Sequence, residues 1–300
     1  MADFQDILKK MEEKYRQKYG FAVFSLDFKV SKNRLIISGE VLTEKQKSDT
    51  EEEVKKIYKG LVENRIKTLS DPLSKELGWG IVKKELIDLK SRFVDSAALN
   101  DKILKRVRAS QSAKGEILRV LMKKDDQLLV QQGDLTMGWV DREDVILKNI
   151  SLRKDWKRGI FAKPGESVLI KESREKLISE AEKFLGVKYI LGAKSKSGID
   201  CSGFTQLVFK NAFDIILPRH SWDQRVVGIA VDLEDAEIGD LVFMVNKKTG
   251  VKHVGILEIL DGDMRNIIHA SVGSSGVARQ RFDKVADSYN IVEIRRIIKK

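Results

Sequence analysis

The spacing of apolar positions changes along the chain. Phe4, Ile7, Leu8, Met11 and Tyr15 recur at three- and four-residue steps, so one face of a helix is predicted over residues 4–19. FAVFSLDF and RLIISGEV read as two strands, and Val54, Ile57 and Tyr58 again share a helix face. That order predicts a small α+β domain over residues 1–72. Residues 73–100 are expected to form a helical connector. From Val107 onward, short apolar runs are separated by Lys114-Gly115, Asp125-Asp126 and Gly133-Asp134, the texture of a small all-β barrel, placed at 101–150. A basic linker containing Pro164-Gly165 fills 151–175. In residues 176–300, Phe204, Leu207 and Val208 repeat at helical spacing. His253–Leu257 and Ile267–Ser271 are strand-like, with a turn signal at Asp261-Gly262 between them. The fold class is therefore α+β, with the last region set apart from two smaller ones.

Composition narrows the picture. The chain has 300 residues, 42% hydrophobic and 34% charged, enough to bury cores and too apolar for a disordered chain. Three prolines and 21 glycines exclude collagen-like and proline-rich architectures, and a single cysteine excludes an internal disulfide framework. No apolar run reaches bilayer-spanning length. The first twenty residues lack the apolar stretch of a signal peptide, so a cytoplasmic location is expected. A cell-envelope or extracellular one is expected if a leader has been removed or export takes another route. The net charge is +11, of which +8 falls in residues 1–175 and +3 in 176–300. The charges are mixed in sign, which fits a solvated surface; the functional reading is a polyanionic partner. No zinc-finger spacing or stacking-aromatic motif is present, so no specific nucleic acid is expected.

The one cysteine and all three histidines lie within 69 residues: Cys201, His220, His253 and His269. Asp200 follows a glycine turn and is a good N-cap, which puts Cys201 in the first turn of a helix. There the helix dipole and unpaired N–H groups are expected to favour the thiolate. Two antiparallel strands would bring His253 and His269 together as a base and its orienter. The plain alternatives are a small buried cysteine and satisfied structural histidines.

Five ordered segments carry a family resemblance: Asp200-Cys201-Ser202-Gly203-Phe204, Leu217-Pro218-Arg219-His220-Ser221 with Gln224, Gly239–Phe243, His253–Ile256 and Ile268-His269-Ala270. They resemble NlpC-type cysteine peptidases, papain-like enzymes that cleave peptidoglycan stem peptides, over roughly residues 175–300. The resemblance implies a papain-like domain, with a cysteine-bearing helix packed on an antiparallel sheet. It implies Cys201 as nucleophile, His253 as general base and His269 as the orienting residue. Asp200 and Ser202 would help bind the free amino end of the substrate, and Tyr189 the substrate or oxyanion. Arg219 and Gln224 would be structural or cleft-rim groups, Ser221 a rim group, and His220 a surface residue or one lining the cleft. The expected substrate is peptidoglycan or a muropeptide, cut at the γ-D-glutamyl bond to meso-diaminopimelate or lysine. The basic first half would then face an anionic wall polymer or a membrane surface.

Two positions depart from the family pattern. Tyr189-Ile190-Leu191-Gly192-Ala193 lacks an aromatic residue and a second glycine, and His220 replaces a small polar residue. Upstream, Val107–Ser110 and Gly138-Trp139-Val140 resemble the ends of a bacterial Src-homology-3-like barrel. Such a barrel would cover one cleft end and demand a free L-alanine amino group. Residues 35–66 are weakly similar to the BON domain of envelope proteins. No cofactor is expected: a metal site from Cys201, His253 and His269 would lack HExxH or CxxC spacing. Two further alternatives stay open, another thiol-dependent amidase or acyltransferase and a non-catalytic wall- or membrane-binding module.

Overall fold

The computed structural model describes residues 7, 11, 24–31, 34–41, 44–68, 78–95, 98–156, 158–260 and 264–300. Of the expected N-terminal helix only Ile7 and Met11 are described, both helical, and the rest lies outside the described residues. The Asp261-Gly262 turn lies outside them too. Among the described residues no helix is long and apolar enough to cross a membrane.

The first region is built on strands β1 (Phe24–Ser31) and β2 (Arg34–Val41), which pair antiparallel, and helix α1 (Glu44–Ile57). A third strand, β3 (Leu61–Thr68), pairs parallel with β2 after the α1 crossover. The sequence pattern gave no sign of β3. Only Ile66 in it is buried, so LVENRIKT carries almost no alternation to read. Leu35, Ile37, Val41, Val54 and Ile66 form the small core, with Ile7 packed against it.

The expected helical connector at 73–100 is corrected by the structure. Residues 78–90 contribute strands β4 (Gly78–Val82) and β5 (Leu86–Lys90), followed by the capped helix α2 (Asp101–Val107), where Asn100 accepts from the Ile103 N–H. β4 and β5 join β6 (Arg108–Ala113), β7 (Ile117–Lys124), β8 (Gln127–Gln131), β9 (Met137–Asp141) and β10 (Val145–Lys148). They form one antiparallel sheet of order β10-β4-β7-β8-β9-β5-β6. Val82, Ile87, Leu89, Leu118, Val120, Leu128, Val130, Val140 and Val145 share one core, so nearly every strand turns a side chain inward. KKELIDLK looks helical by spacing because the one strand it contains, β5, has five residues, too few to show a period of two clearly.

The segment at 151–175 is laced to both neighbours. Trp156 donates from Nε1 to the Gln131 carbonyl at 3.0 Å and meets Trp79 edge-on at 5.5 Å. Residues 160–161 pair parallel with 215–216, and 168–169 with 298–299.

The last region holds helix α3 (Glu175–Glu182), helix α4 (Cys201–Phe213), helix α5 (Phe282–Ser288) and a six-stranded antiparallel sheet. Its strands are β11 (Ile229–Val231), β12 (Leu241–Asn246), β13 (Lys252–Ile259), β14 (Arg265–Ser271), β15 (Gly276–Arg281) and β16 (Tyr289–Arg296), in the order β11-β16-β12-β13-β14-β15. Alternation along the strands divides the core. Leu241, Phe243, Val254, Ile256, Ile268 and Ala270 pack under α4 with Phe204, Val208 and Phe209. Val242, Met244, Leu257, Ile267 and Ile294 face α5 through Val285.

Candidate active site

Asp200 is the N-cap of α4: its side chain accepts from the Gly203 N–H at 2.7 Å. It also accepts from the Gly192 N–H at 2.9 Å and takes a bidentate ion pair from Arg219, at 2.9 and 2.8 Å. Arg219 reaches the Ser202 hydroxyl at 3.0 Å, and that hydroxyl donates to Asp200 at 3.3 Å. Asp200, Ser202 and Arg219 are all buried. Both Asp200 oxygens hold cationic or N–H partners, so in this structure Asp200 braces the start of α4. Arg219 and Gln224 are both buried, which fits the structural one of their two expected roles and not the rim. Gln224 donates to the Ser202 and Pro218 carbonyls at 3.0 and 2.9 Å and accepts from Thr205, pinning the first turn of α4. His220 and Ser221 are half-buried at the start of a helical turn over 221–224.

Cys201 is buried at the start of α4. Backbone N–H groups of Ser202 and Val254 donate toward its sulfur and favour the thiolate. Burial and the Asp200 carboxylate outweigh them and push the thiol up to about 12. The helix start alone was expected to yield a thiolate; here desolvation decides, and the resting group is a neutral thiol.

The Val254 N–H is available because the sheet opens at this point. The β13–β14 ladder runs from Ile259↔Arg265 to Ile256↔Ile268 and stops before His253. Gly255 sits at the opening, where a Cβ would run into Ile267 and stand 3.0 Å from the His269 Cβ. Its absence lets the two strands carry their histidines close together. His253 Nε2 lies 2.7 Å from His269 Nδ1, and His269 Nε2 lies 2.6 Å from Gln280 Oε1. Tyr289 stacks on the His253 ring at 5.1 Å between centroids. Burial, and next the neighbouring His269, lower His253 to about 3; burial also lowers His269. Both rings rest neutral at ordinary pH.

A cleft of about 530 Å3 opens over this group, lined by Tyr189, His253, Gln280, Lys284 and Tyr289 among others. Tyr189 stands close enough to Cys201 and Asp200 that their charges, after burial, raise its hydroxyl. Arg219, His220, Ser221 and Gln224 do not line this cleft. Among the described residues no group of His, Cys, Asp and Glu could hold a metal ion.

Tyr289 and Gln280 were not singled out from the sequence. Gln280 had no local signal: it reaches His269 only through register, two positions along β15 from Ala278, which pairs with His269. Tyr289 had none either, because it begins β16 directly after α5 and stands 36 positions from His253.

The description of the NlpC/P60 family matches residues 186–296. A Bacillus cereus protein named gamma-D-glutamyl-L-lysine dipeptidyl-peptidase is 42% identical over 90 residues, 29% of this chain and 26% of that protein. The Escherichia coli protein named probable endopeptidase NlpC is 34% identical over 121 residues, 40% of this chain and 76% of that protein. The match spans 20% and 52% of the length of other curated relatives. A crystal structure of a Bacillus cereus NlpC/P60 family protein superposes with a TM-score of 0.55 at 20% identity, covering 74% of this chain and 100% of that one. That likeness of fold reaches upstream of the matched residues. The fold class read from the sequence, α+β with a papain-like region, agrees with these findings, and the chain belongs to the NlpC/P60 family.

Proposed function

We propose that the protein is a cysteine endopeptidase that hydrolyses peptidoglycan stem peptides at the γ-D-glutamyl bond to a diamino acid. The observation that carries this reading is a lone thiol at a helix start whose sulfur takes the Val254 N–H, one residue on from a histidine whose ring is held by a second histidine. The thiol donates its proton to His253 as Sγ bonds to the carbonyl carbon. The oxyanion is held at the N–H of Cys201, one of the unpaired donors of the α4 N-terminus, with Tyr189 beside it. The tetrahedral centre collapses, the C–N bond breaks, and His253 returns its proton to the leaving amine. Water then attacks the thioester, giving one proton to His253; the C–S bond breaks, His253 passes that proton to the departing sulfur, and the product acid ionises to a carboxylate. Tyr289 stacks on His253 and favours its transient cation through the ring face.

The test is mass spectrometry of products from defined muropeptides, with and without a free N-terminal L-alanine. Cleavage after D-glutamate is expected, with Cys201→Ala and His253→Ala lowering kcat/KM by several orders of magnitude and His269→Ala by less. Products of ester cleavage or acyl transfer instead would overturn the peptidase reading. A requirement for the free amine would support the upstream sheet as a cover for one cleft end. The neutral resting pair also fixes the pH profile. The base works unprotonated and its folded value is about 3, so kcat/KM keeps its plateau below pH 6 rather than falling near 6.5.

A further inference from the structure

We infer that Gln280 is a positioning residue that sets the tautomers of both histidines through a directional hydrogen-bond chain. This rests on the catalytic reading of Cys201 and His253 and adds a fourth member to their set. A glutamine Oε1 only accepts, so His269 Nε2 must carry its proton toward Gln280, at 2.6 Å. A neutral imidazole has one N–H, which leaves His269 Nδ1 bare and able only to accept. His253 Nε2, 2.7 Å away, must then be the protonated nitrogen of its ring. That leaves His253 Nδ1 as the lone-pair nitrogen, the form a general base needs.

The placement follows from strand register. Gln280 pairs opposite Ile267, and Ala278 opposite His269, so Gln280 lies diagonal to His269 on one face of the sheet. Gln280 lies in the exposed second half of β15, and its side chain lines the cleft. Without the acceptor, His269 can reverse its tautomer. His253 then reverses as well and turns an N–H where the thiol needs a lone pair. The titratable and charged groups around the pair are Asp200 at the start of α4, Tyr189, Tyr289 on β16 and Lys284 on α5, with Cys201 at the neighbouring Val254 N–H.

The experiment combines ring-nitrogen NMR of the resting protein with kinetics of two variants on a muropeptide. In the wild type, both histidines are expected to carry the proton on Nε2 and show a bare Nδ1. Gln280→Leu is expected to mix the tautomers and lower kcat/KM by about tenfold. Gln280→Glu, an acceptor of the same length, should keep the tautomers and restore most of the rate. Its acid limb should move up by about one pH unit, because the carboxylate favours the imidazolium. Either ring found with its proton on Nδ1, or a Gln280→Leu protein with wild-type tautomers and rate, overturns the inference. If the wild-type protein cuts no muropeptide while the tautomers stand as stated, the substrate reading fails and the positioning stands.

Discussion

Asp200 and Asp134 are both inward-facing carboxylates that accept an ion pair, and both brace the loop leading into Cys201. Asp200 lies within the last region, where the Arg219 guanidinium, two N–H groups and a hydroxyl surround it. Asp134 comes from the turn between β8 and β9 and crosses to the last region. It receives Lys194 Nζ and Gln206 Nε2, each at 3.1 Å, and the Thr136 N–H at 2.9 Å. Gln111 of β6 adds a second tie by accepting from the Lys194 N–H at 3.0 Å. The carboxylate nearest the chemistry is held by a rigid fork, which fixes direction as well as charge. The one joining two regions uses a flexible ammonium and a side-chain amide. The difference separates a frame that positions a reacting atom from a joint that positions a sheet.

The largest effect is expected where the frame is broken. Arg219→Met leaves Asp200 charged, buried and without its cation, which costs about 3–5 kcal/mol in urea unfolding. Replacing both partners, Asp200→Asn with Arg219→Met, should cost less than Arg219→Met alone, because no uncompensated charge is left. The double variant also removes the anion that disfavours the thiolate. Its Cys201 should then titrate below about 12, followed by the thiolate's ultraviolet absorbance. A double variant as unstable as the single one would assign the role of Arg219 to packing.

The joint gives a smaller effect with a pH signature. Lys194 and the Thr136 N–H hold Asp134 at about 2 against its burial, below its ordinary 3.8. Its folded value is depressed, so its stabilisation is complete above about pH 4 and is lost as pH falls through 2. That is worth about 2 kcal/mol. Subtracting an Asp134→Asn unfolding curve from the wild type's should show this loss between pH 4 and 2. His253 and His269 titrate alike in both proteins and cancel. A flat difference would place Asp134 outside the joint.

The chemistry of the last region was legible because it sits in short contiguous motifs. Asp200 before Cys201, the LPR segment and the two histidine strands each announce local structure within a few residues. The sheet upstream was legible only where turn pairs such as Gly133-Asp134 punctuate it. β4 and β5 were read as helix because five residues cannot display their period, and β3 was missed because it hides one side chain. Gln280 and Tyr289 meet the histidines only through tertiary structure, which joins residues 11 to 36 positions apart that no local pattern links. The neutral state of Cys201 was illegible for another reason. The helix start favours the thiolate, and only the tertiary burial around it reveals the larger opposing cost.

The smallest expected effect comes from the other half of the joint. Lys194→Met removes the ammonium but leaves Asp134 with Gln206 and the Thr136 N–H, and the Gln111 contact uses the backbone N–H of residue 194, which survives. The side chains of Lys194 and Asp134 are 11% and 10% exposed, so water can reach the abandoned carboxylate in part. The loss should be about 1 kcal/mol, well under that of Arg219→Met, whose guanidinium is 1% exposed and gives its carboxylate two hydrogen bonds where Lys194 gives one. Calorimetric unfolding of the two variants side by side checks the ranking. Equal losses would mean that the joint is as rigid as the frame, and that the upstream sheet and the catalytic loop unfold as one unit.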